Sequence, residues 1–212
     1  MLEEPRSGVH SESDEIDGTR ARLLAVAKRQ FASYGFYGAS LSGIAGEIGL
    51  TKQALIYHFR RKEDVYSEVL RAISERLSDH VDGIVAGSDD PLEQLEGILL
   101  GLLEMGRNDP EERILLMREI LDNRSRARDA RTWYLADFLK TLAGLLQQAA
   151  GPRQVSASQA RVLTYQLLGS IEYFLVSDET LKAVFGGEAF LAMQADFPGE
   201  LRRLIRNALT LP

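Results

Sequence analysis

Cysteine is absent from the 212 residues. That removes disulfides, thiolate metal sites and a cysteine nucleophile together. Histidine is nearly as scarce, and His10, His58 and His80 are too scattered to suggest a zinc site, so neither a metal nor a cofactor is expected. No apolar run approaches the roughly 18 residues that a membrane span needs, and no membrane contact is expected. The opening MLEEPRSGVHSESDEID is acidic and polar, unlike the basic start and apolar middle of a secretory signal. A cytoplasmic location is the expectation. The common enzyme signatures are missing as well: there is no G-x-S-x-G elbow, no GK[ST] phosphate loop, no G-x-G-x-x-G and no HExxH. Sustained apolar/polar alternation is missing too, which argues against a sheet.

Positive charge is in the minority overall, with a net charge of −6, but it is not evenly spread. Residues 1–18 carry Arg6 against Glu3, Glu4, Glu12, Asp14, Glu15 and Asp17, a balance of −5. Residues 19–62 carry eight basic side chains against Glu47 alone, a balance of +7, and the remainder returns to −8. A compact basic module on an acidic body is the asymmetry of a polyanion-binding head.

The acidic start, with few apolar residues and no periodicity, reads as a disordered tail over 1–18. Helical periodicity begins after it. Leu23, Leu24, Ala27 and Phe31 predict a first helix over about 20–34, with Thr19 as N-cap and Gly35 as C-cap. Ser40 precedes a short apolar segment, LSGIAGEI. Gly49 follows it, and Thr51 precedes a second short segment, KQALIYHF. A long helix starts near Lys62, with the stripe Tyr66, Val69, Ile73, Leu77, Val81 and Ile84. Further helices follow Pro91 and Pro110, carry Leu135 to Leu145, and start near Ser158. A looser stretch spans 178–198 before a last helix with Leu201, Leu204 and Ile205. The expectation is an all-α chain of about nine helices, divided into a tail (1–18), a basic head (19–66) and a larger helical part (67–212).

The basic head contains short helix, glycine turn, short helix. In a helix-turn-helix the first short helix braces the unit and the second enters the major groove. Gly49 suits the sharp turn. Ile44, Ala45, Ile48, Leu50 and Leu55 can form the small core that fixes the interhelix angle. Thr51, Lys52, Gln53, Tyr57 and His58 are then left facing outward, as donors for phosphates and base edges. Arg60, Arg61 and Lys62 lie just beyond.

The segment FASYGFYGASLSGIAGEIGLTKQALIYHFRRKEDV resembles the DNA-binding signature of the TetR/AcrR family of transcriptional regulators, from about Thr19 to Tyr66. Phe31, Gly35, Ser40, Ile44-Ala45, Gly49, Thr51-Lys52, Tyr57-His58-Phe59 and Lys62-Glu63 fall where that pattern places them. The resemblance implies a helix-turn-helix domain followed by a helical ligand-binding and dimerisation domain. It implies a homodimer on double-stranded DNA, and repression relieved by a small molecule; the two-fold symmetry of such a dimer would make the operator palindromic. It places Ser40, Thr51, Tyr57, His58 and Lys62 at phosphate-contacting positions, and Lys52, Gln53 and Ala54 where bases are read. Two residues depart from the pattern. Ile56 stands where an aromatic is usual, and Arg61 stands where a small residue usually caps the fourth helix.

The larger part is rich in aromatic and methionine residues, which suggests a small apolar or amphipathic ligand lodged between helices. Met105, Met117, Arg118, Trp133, Phe138, Tyr165, Glu172 and Tyr173 are its candidate liners. The Arg-rich run Arg124, Arg126, Arg128 and Arg131 reads as a solvated face. Leu167, Ile171, Phe174 and Leu204 supply apolar surface for a candidate dimer interface. Two other readings exist: a regulator that acts by protein contact and keeps the helix-turn-helix for stability, and an all-α enzyme. The intact basic face argues against the first, and the missing catalytic motifs against the second.

Overall fold

A computed structural model describes residues 9–122, 134–150 and 155–210. Among the described residues there are ten α-helices and no strand. They are α1 (Val9–Gly38), α2 (Leu41–Glu47), α3 (Lys52–His58), α4 (Lys62–Gly87), α5 (Pro91–Asn108), α6 (Pro110–Asp122), α7 (Ala136–Ala149), α8 (Ala157–Val176), α9 (Asp178–Phe185) and α10 (Gly187–Thr210). The chain divides into two compact units, Met1–Ala72 and Ile73–Pro212.

In the first unit, α1 starts ten residues ahead of the predicted Thr19 cap, so residues 9–18 of the predicted tail are helical; residues 1–8 lie outside the described residues. Gly35 interrupts the helix at φ 70°, ψ 174°. Leu23, Ala27 and Phe31 of α1 are fully buried, as are Ile44 and Ala45 of α2, Leu55 of α3 and Val65 of α4. Phe31 meets Tyr66 edge-on at 4.8 Å between ring centroids, and Phe36 meets the same ring at 5.1 Å.

In the second unit, the core is built from Leu95, Ile98, Leu99 and Leu103 of α5, Leu142 and Leu146 of α7, Leu167 and Ile171 of α8, and Leu201 and Ile205 of α10. Local signals start the helices. The Asp90 carboxylate caps α5 ahead of Pro91. The Asp109 carboxylate accepts from Glu112 N at 3.0 Å at the head of α6. Ser156 and Gln159 form a reciprocal capping box on α8.

The stretch 178–198, expected to be loose, is helical. The chain breaks only at Gly186, whose φ of 88° is open to glycine without strain. Helix α10 then runs through Pro198. A proline there leaves the carbonyl four residues back, on Gln194, without its N–H partner. Arg107 of α5 supplies the donor, with Nη2 2.7 Å from Gln194 O.

Three of the four residues assigned to a dimer interface are core residues of a single chain. Leu167, Ile171 and Phe174 are buried, and Phe174 stacks on Phe197 at 4.0 Å between centroids; Leu204 alone of the four is exposed. The reason is helical phase. The stripe through Ala160, Thr164, Leu167 and Ile171 faces inward. Val162, Tyr165 and Tyr173 lie on the opposite side of the same helix, with Tyr165 60% and Tyr173 73% exposed. The same phase removes Tyr165 and Tyr173 from the interior of the chain, where they were expected to line a ligand site. Met105, Met117, Arg118, Phe138 and Glu172 are half-buried. Trp133 and the run Arg124 to Arg131 lie outside the described residues.

Candidate nucleic-acid interface

Helices α2 and α3 are joined by a turn that closes on itself. Leu50 N–H returns to Ala45 O at 2.9 Å, and Gly49 N–H to Gly46 O at 3.1 Å. That pair of bonds ends a helix with its residue after the cap in the left-handed region, and Gly49 sits there at φ 75°. A side chain at position 49 would strain the turn.

Each short helix begins on a hydroxyl. Ser40 Oγ accepts from Gly43 N at 3.0 Å and Thr51 Oγ1 from Ala54 N at 3.2 Å. In both bonds the side-chain oxygen accepts, so each hydroxyl keeps its own proton for an outside acceptor. Both residues are exposed. Lys52, Gln53 and Tyr57 are exposed on α3, Tyr57 to 78%. Ala54, Ile56 and His58 are half-buried, and the His58 ring meets Tyr57 edge-on at 5.5 Å. On the inner side of α3, Leu55 and the following Phe59 are buried, which fixes the outward phase of Lys52, Gln53 and Tyr57.

Lys62 has a structural partner. Its Nζ donates to Ala39 O at 3.0 Å and lies 4.6 Å from the Phe36 ring centroid. It ties the start of α4 to the corner between α1 and α2. The missing small cap at Arg61 is made good from the other direction. Asp64 Oδ2 accepts from Arg61 N at 3.0 Å, the return half of a capping box, while Oδ1 takes the Arg61 guanidinium at 3.0 Å.

The one acid among residues 19–62 is neutralised where it stands. Glu47 pairs with Arg29 at 2.5 Å and accepts from Gln30 Nε2 at 3.1 Å. The Arg29 and Gln30 hydrogen bonds hold its carboxyl below the usual carboxylate range. Arg20 is spent differently: it pairs with Glu68 at 2.5 Å and sits 5.0 Å over the Phe59 ring. Sequence reasoning missed these roles of Asp64, Arg29 and Arg20. Only the Arg61/Asp64 spacing of three residues carried a local signal; the other pairings join residues far apart in the chain.

The model of the family described as "Bacterial regulatory proteins, tetR family" matches residues 23–69, which cover α2, α3, most of α1 and the start of α4. The chain is 31% identical over 103 residues to the HTH-type transcriptional regulator AcrR of Shigella flexneri, covering 48% of each chain. It is 30% identical over 90 residues to the HTH-type transcriptional repressor KstR2 of Mycobacterium tuberculosis, covering 42% of this chain and 45% of that one. The match thus spans about half the length of these curated relatives. The fold extends further. The crystal structure of FadR from Bacillus subtilis in complex with stearoyl-CoA superposes with a TM-score of 0.68 at 15% identity, covering 87% of this chain and 96% of that one. Residues 23–69 thus carry the signature of the TetR family of bacterial regulatory proteins, and the chain shares the helical fold of the FadR structure.

Proposed function

We propose that the protein is a ligand-responsive transcriptional repressor that binds a near-palindromic DNA operator as a homodimer and is released by a small apolar or amphipathic molecule. The observation that carries this reading is the outer surface of α3. Lys52, Gln53 and Tyr57 are exposed together, and the free hydroxyl protons of Ser40 and Thr51 lie at the heads of the two short helices. Donors for base edges thus sit beside donors for phosphates. Ser40, Thr51, Tyr57, His58 and Lys62 are the proposed phosphate contacts, and Lys52, Gln53 and Ala54 the proposed base readers. Lys62 keeps two ammonium protons beyond the one given to Ala39, enough to serve both roles.

One head carries few phosphate contacts, and binding through a single module is weak at physiological salt. Two heads in one assembly double the contacts, and a two-fold axis makes the operator palindromic. For the second copy we assign the outward face of α8, with Val162, Tyr165 and Tyr173, together with Leu204 of α10. Large side chains exposed along one helix face are the kind of surface that association covers. The ligand reading draws support from the FadR of Bacillus subtilis, which was solved with stearoyl-CoA.

A gel shift on DNA from upstream of the protein's own gene, with shuffled DNA as control, tests the proposal. Binding to the upstream DNA alone, as one complex of a dimer, is the expected result. Equal binding to both DNAs, or to neither, overturns it.

A further inference from the structure

The C-terminal end of α5, the first turn of α6 and the last turns of α8 converge at one point. A Cβ on Gly106 of α5 would lie 2.5 Å from Leu175 Cδ1 of α8 and 3.9 Å from Arg113 Cδ of α6. The bare backbone of α5 is therefore seated directly against Leu175 and near the Arg113 stem. Leu175 is one turn beyond Glu172 on α8. Arg113 is buried and Glu172 mostly so. The charge of Arg113 acts on the Glu172 carboxyl, yet Glu172 Oε2 and Arg113 Nε, both out of contact with water, have no hydrogen-bond partner. Leaving such atoms unpaired is costly, and a purely structural ion pair would have closed the gap.

We propose that Arg113 and Glu172 form the head-group site for an amphipathic monocarboxylate, whose carboxylate is bound between the Arg113 guanidinium and the protonated Glu172 carboxyl group. This rests on the ligand-responsive reading above. It adds the chemical class of the ligand and the residues that hold it.

Charge counting argues against a cation, and charge-assisted hydrogen bonding favours an anion over a neutral head. An organic cation beside Arg113 and an ionised Glu172 would leave a net positive charge in a buried site. A monocarboxylate with neutral Glu172 leaves none, and both protein groups then donate: Arg113 through N–H and Glu172 through O–H. Burial raises the Glu172 carboxyl to about 7, so its protonated form is at hand near neutrality. Of the helices packed on α8, α6 supplies Arg113, and α5 supplies Arg107, engaged with Gln194 O, and Glu96, which pairs with Arg206 of α10 at 2.6 Å. The charges of α7, Asp137 and Lys140, pair with each other at the surface. Among the described residues, Arg113 is the one charge that acts on Glu172. Met117, four residues after Arg113 and on the same side of α6, and Met105, next to Gly106, are half-buried. Thioether side chains adapt readily to an irregular apolar body.

The test is calorimetric titration of the full chain, free of DNA, with decanoate, decylammonium and decan-1-ol, three probes with one tail and different heads. Decanoate should bind, and the other two at least about tenfold more weakly, since decylammonium has no acceptor and the neutral hydroxyl of decan-1-ol forms no ion pair with Arg113. Because the bound form needs the Glu172 proton, decanoate affinity should fall about tenfold between roughly pH 6 and pH 8. Glu172→Gln keeps a donor at the same place, so it should bind decanoate with no such pH dependence. Arg113→Gln should lose at least about tenfold in affinity. The Glu172→Gln pH signature stands as a separate readout should the Arg113 variant fail to fold. Tighter binding of decylammonium, an unchanged decanoate affinity in folded Arg113→Gln, or no binding of decanoate overturns the assignment. The same compounds are scored separately in the gel shift. Decanoate that binds as described without releasing DNA upholds the site and removes ligand control. Release of DNA by decan-1-ol without decanoate binding keeps ligand control and removes the site.

Discussion

Arg107 Nη2 lies 2.7 Å from the backbone carbonyl oxygen of Gln194, the acceptor that Pro198 leaves without a partner. A side chain of α5 thereby completes the backbone ladder of α10. The bond is charge-assisted and partly buried, a setting in which hydrogen bonds contribute more than the usual ~1 kcal/mol.

A double-mutant cycle measures this directly. Arg107→Met should cost about 1–3 kcal/mol in urea unfolding. In a Pro198→Ala background the alanine N–H can serve Gln194, so the same change should cost less by about 1 kcal/mol. Strict additivity of the two substitutions would show that Arg107 does not compensate for the proline.

Thr51 separates folding from DNA binding. Thr51→Ala loses the cap on α3 and should cost about 1 kcal/mol of stability. Thr51→Asp keeps a cap acceptor for Ala54 N but has no O–H to give and brings a negative charge. It should therefore match the wild type in thermal unfolding while losing DNA affinity by an order of magnitude or more. If Thr51→Asp binds DNA as well as wild type, the hydroxyl is not a phosphate donor.

The two sides of α8 should respond oppositely to charge. Tyr173→Arg, on the exposed side, should give a folded monomer by light scattering that no longer shifts operator DNA. Ile171→Arg buries an unpaired charge in the core and should abolish folding altogether. A dimeric Tyr173→Arg variant would place the interface elsewhere.

Glu172 should give the second unit a distinctive pH dependence. Its folded carboxyl is raised by burial from 4.5 to about 7, so the folded chain holds a proton that the unfolded chain releases above about 4.5. Stability should thus fall as pH rises from about 4.5 to 7, and stay at its reduced level above that. Glu172→Gln should remove this slope and stabilise the chain at about pH 8 by an amount on the order of 3 kcal/mol, while changing little at about pH 4. Equal pH dependence in thermal melts of the two proteins would contradict the assignment.

What was legible in the sequence was local. Ser40, Gly49, Thr51, Asp90 and Pro91 act on backbone groups within a few residues, so the short helices and their turn could be placed from the residues themselves. The continuity of α10 could not, because the group that satisfies Gln194 comes from Arg107, 87 residues away. The faces of α8 were ambiguous for a different reason. Val162, Leu163, Tyr165, Leu167, Leu168, Ile171, Tyr173 and Phe174 run almost all round the helix, and periodicity alone does not say which side the core takes. In the basic head, the outward phase of Lys52, Gln53 and Tyr57 followed from Leu55. The anchoring of Lys62 on Ala39 O depends on a corner that only the folded chain brings into reach.

In the proposed function, the α3 surface reads DNA sequence from a dimer. The most direct measurement is the affinity of wild type and Lys52→Ala for upstream and shuffled DNA, taken from about 50 to 200 mM salt. Wild type should show a steep salt dependence on both DNAs, with marked preference for the upstream sequence. In Lys52→Ala that preference should shrink by about 1–3 kcal/mol while most of the salt dependence remains. A wild type with no preference between the two DNAs, or a Lys52→Ala variant that retains the full preference and affinity, would contradict that function.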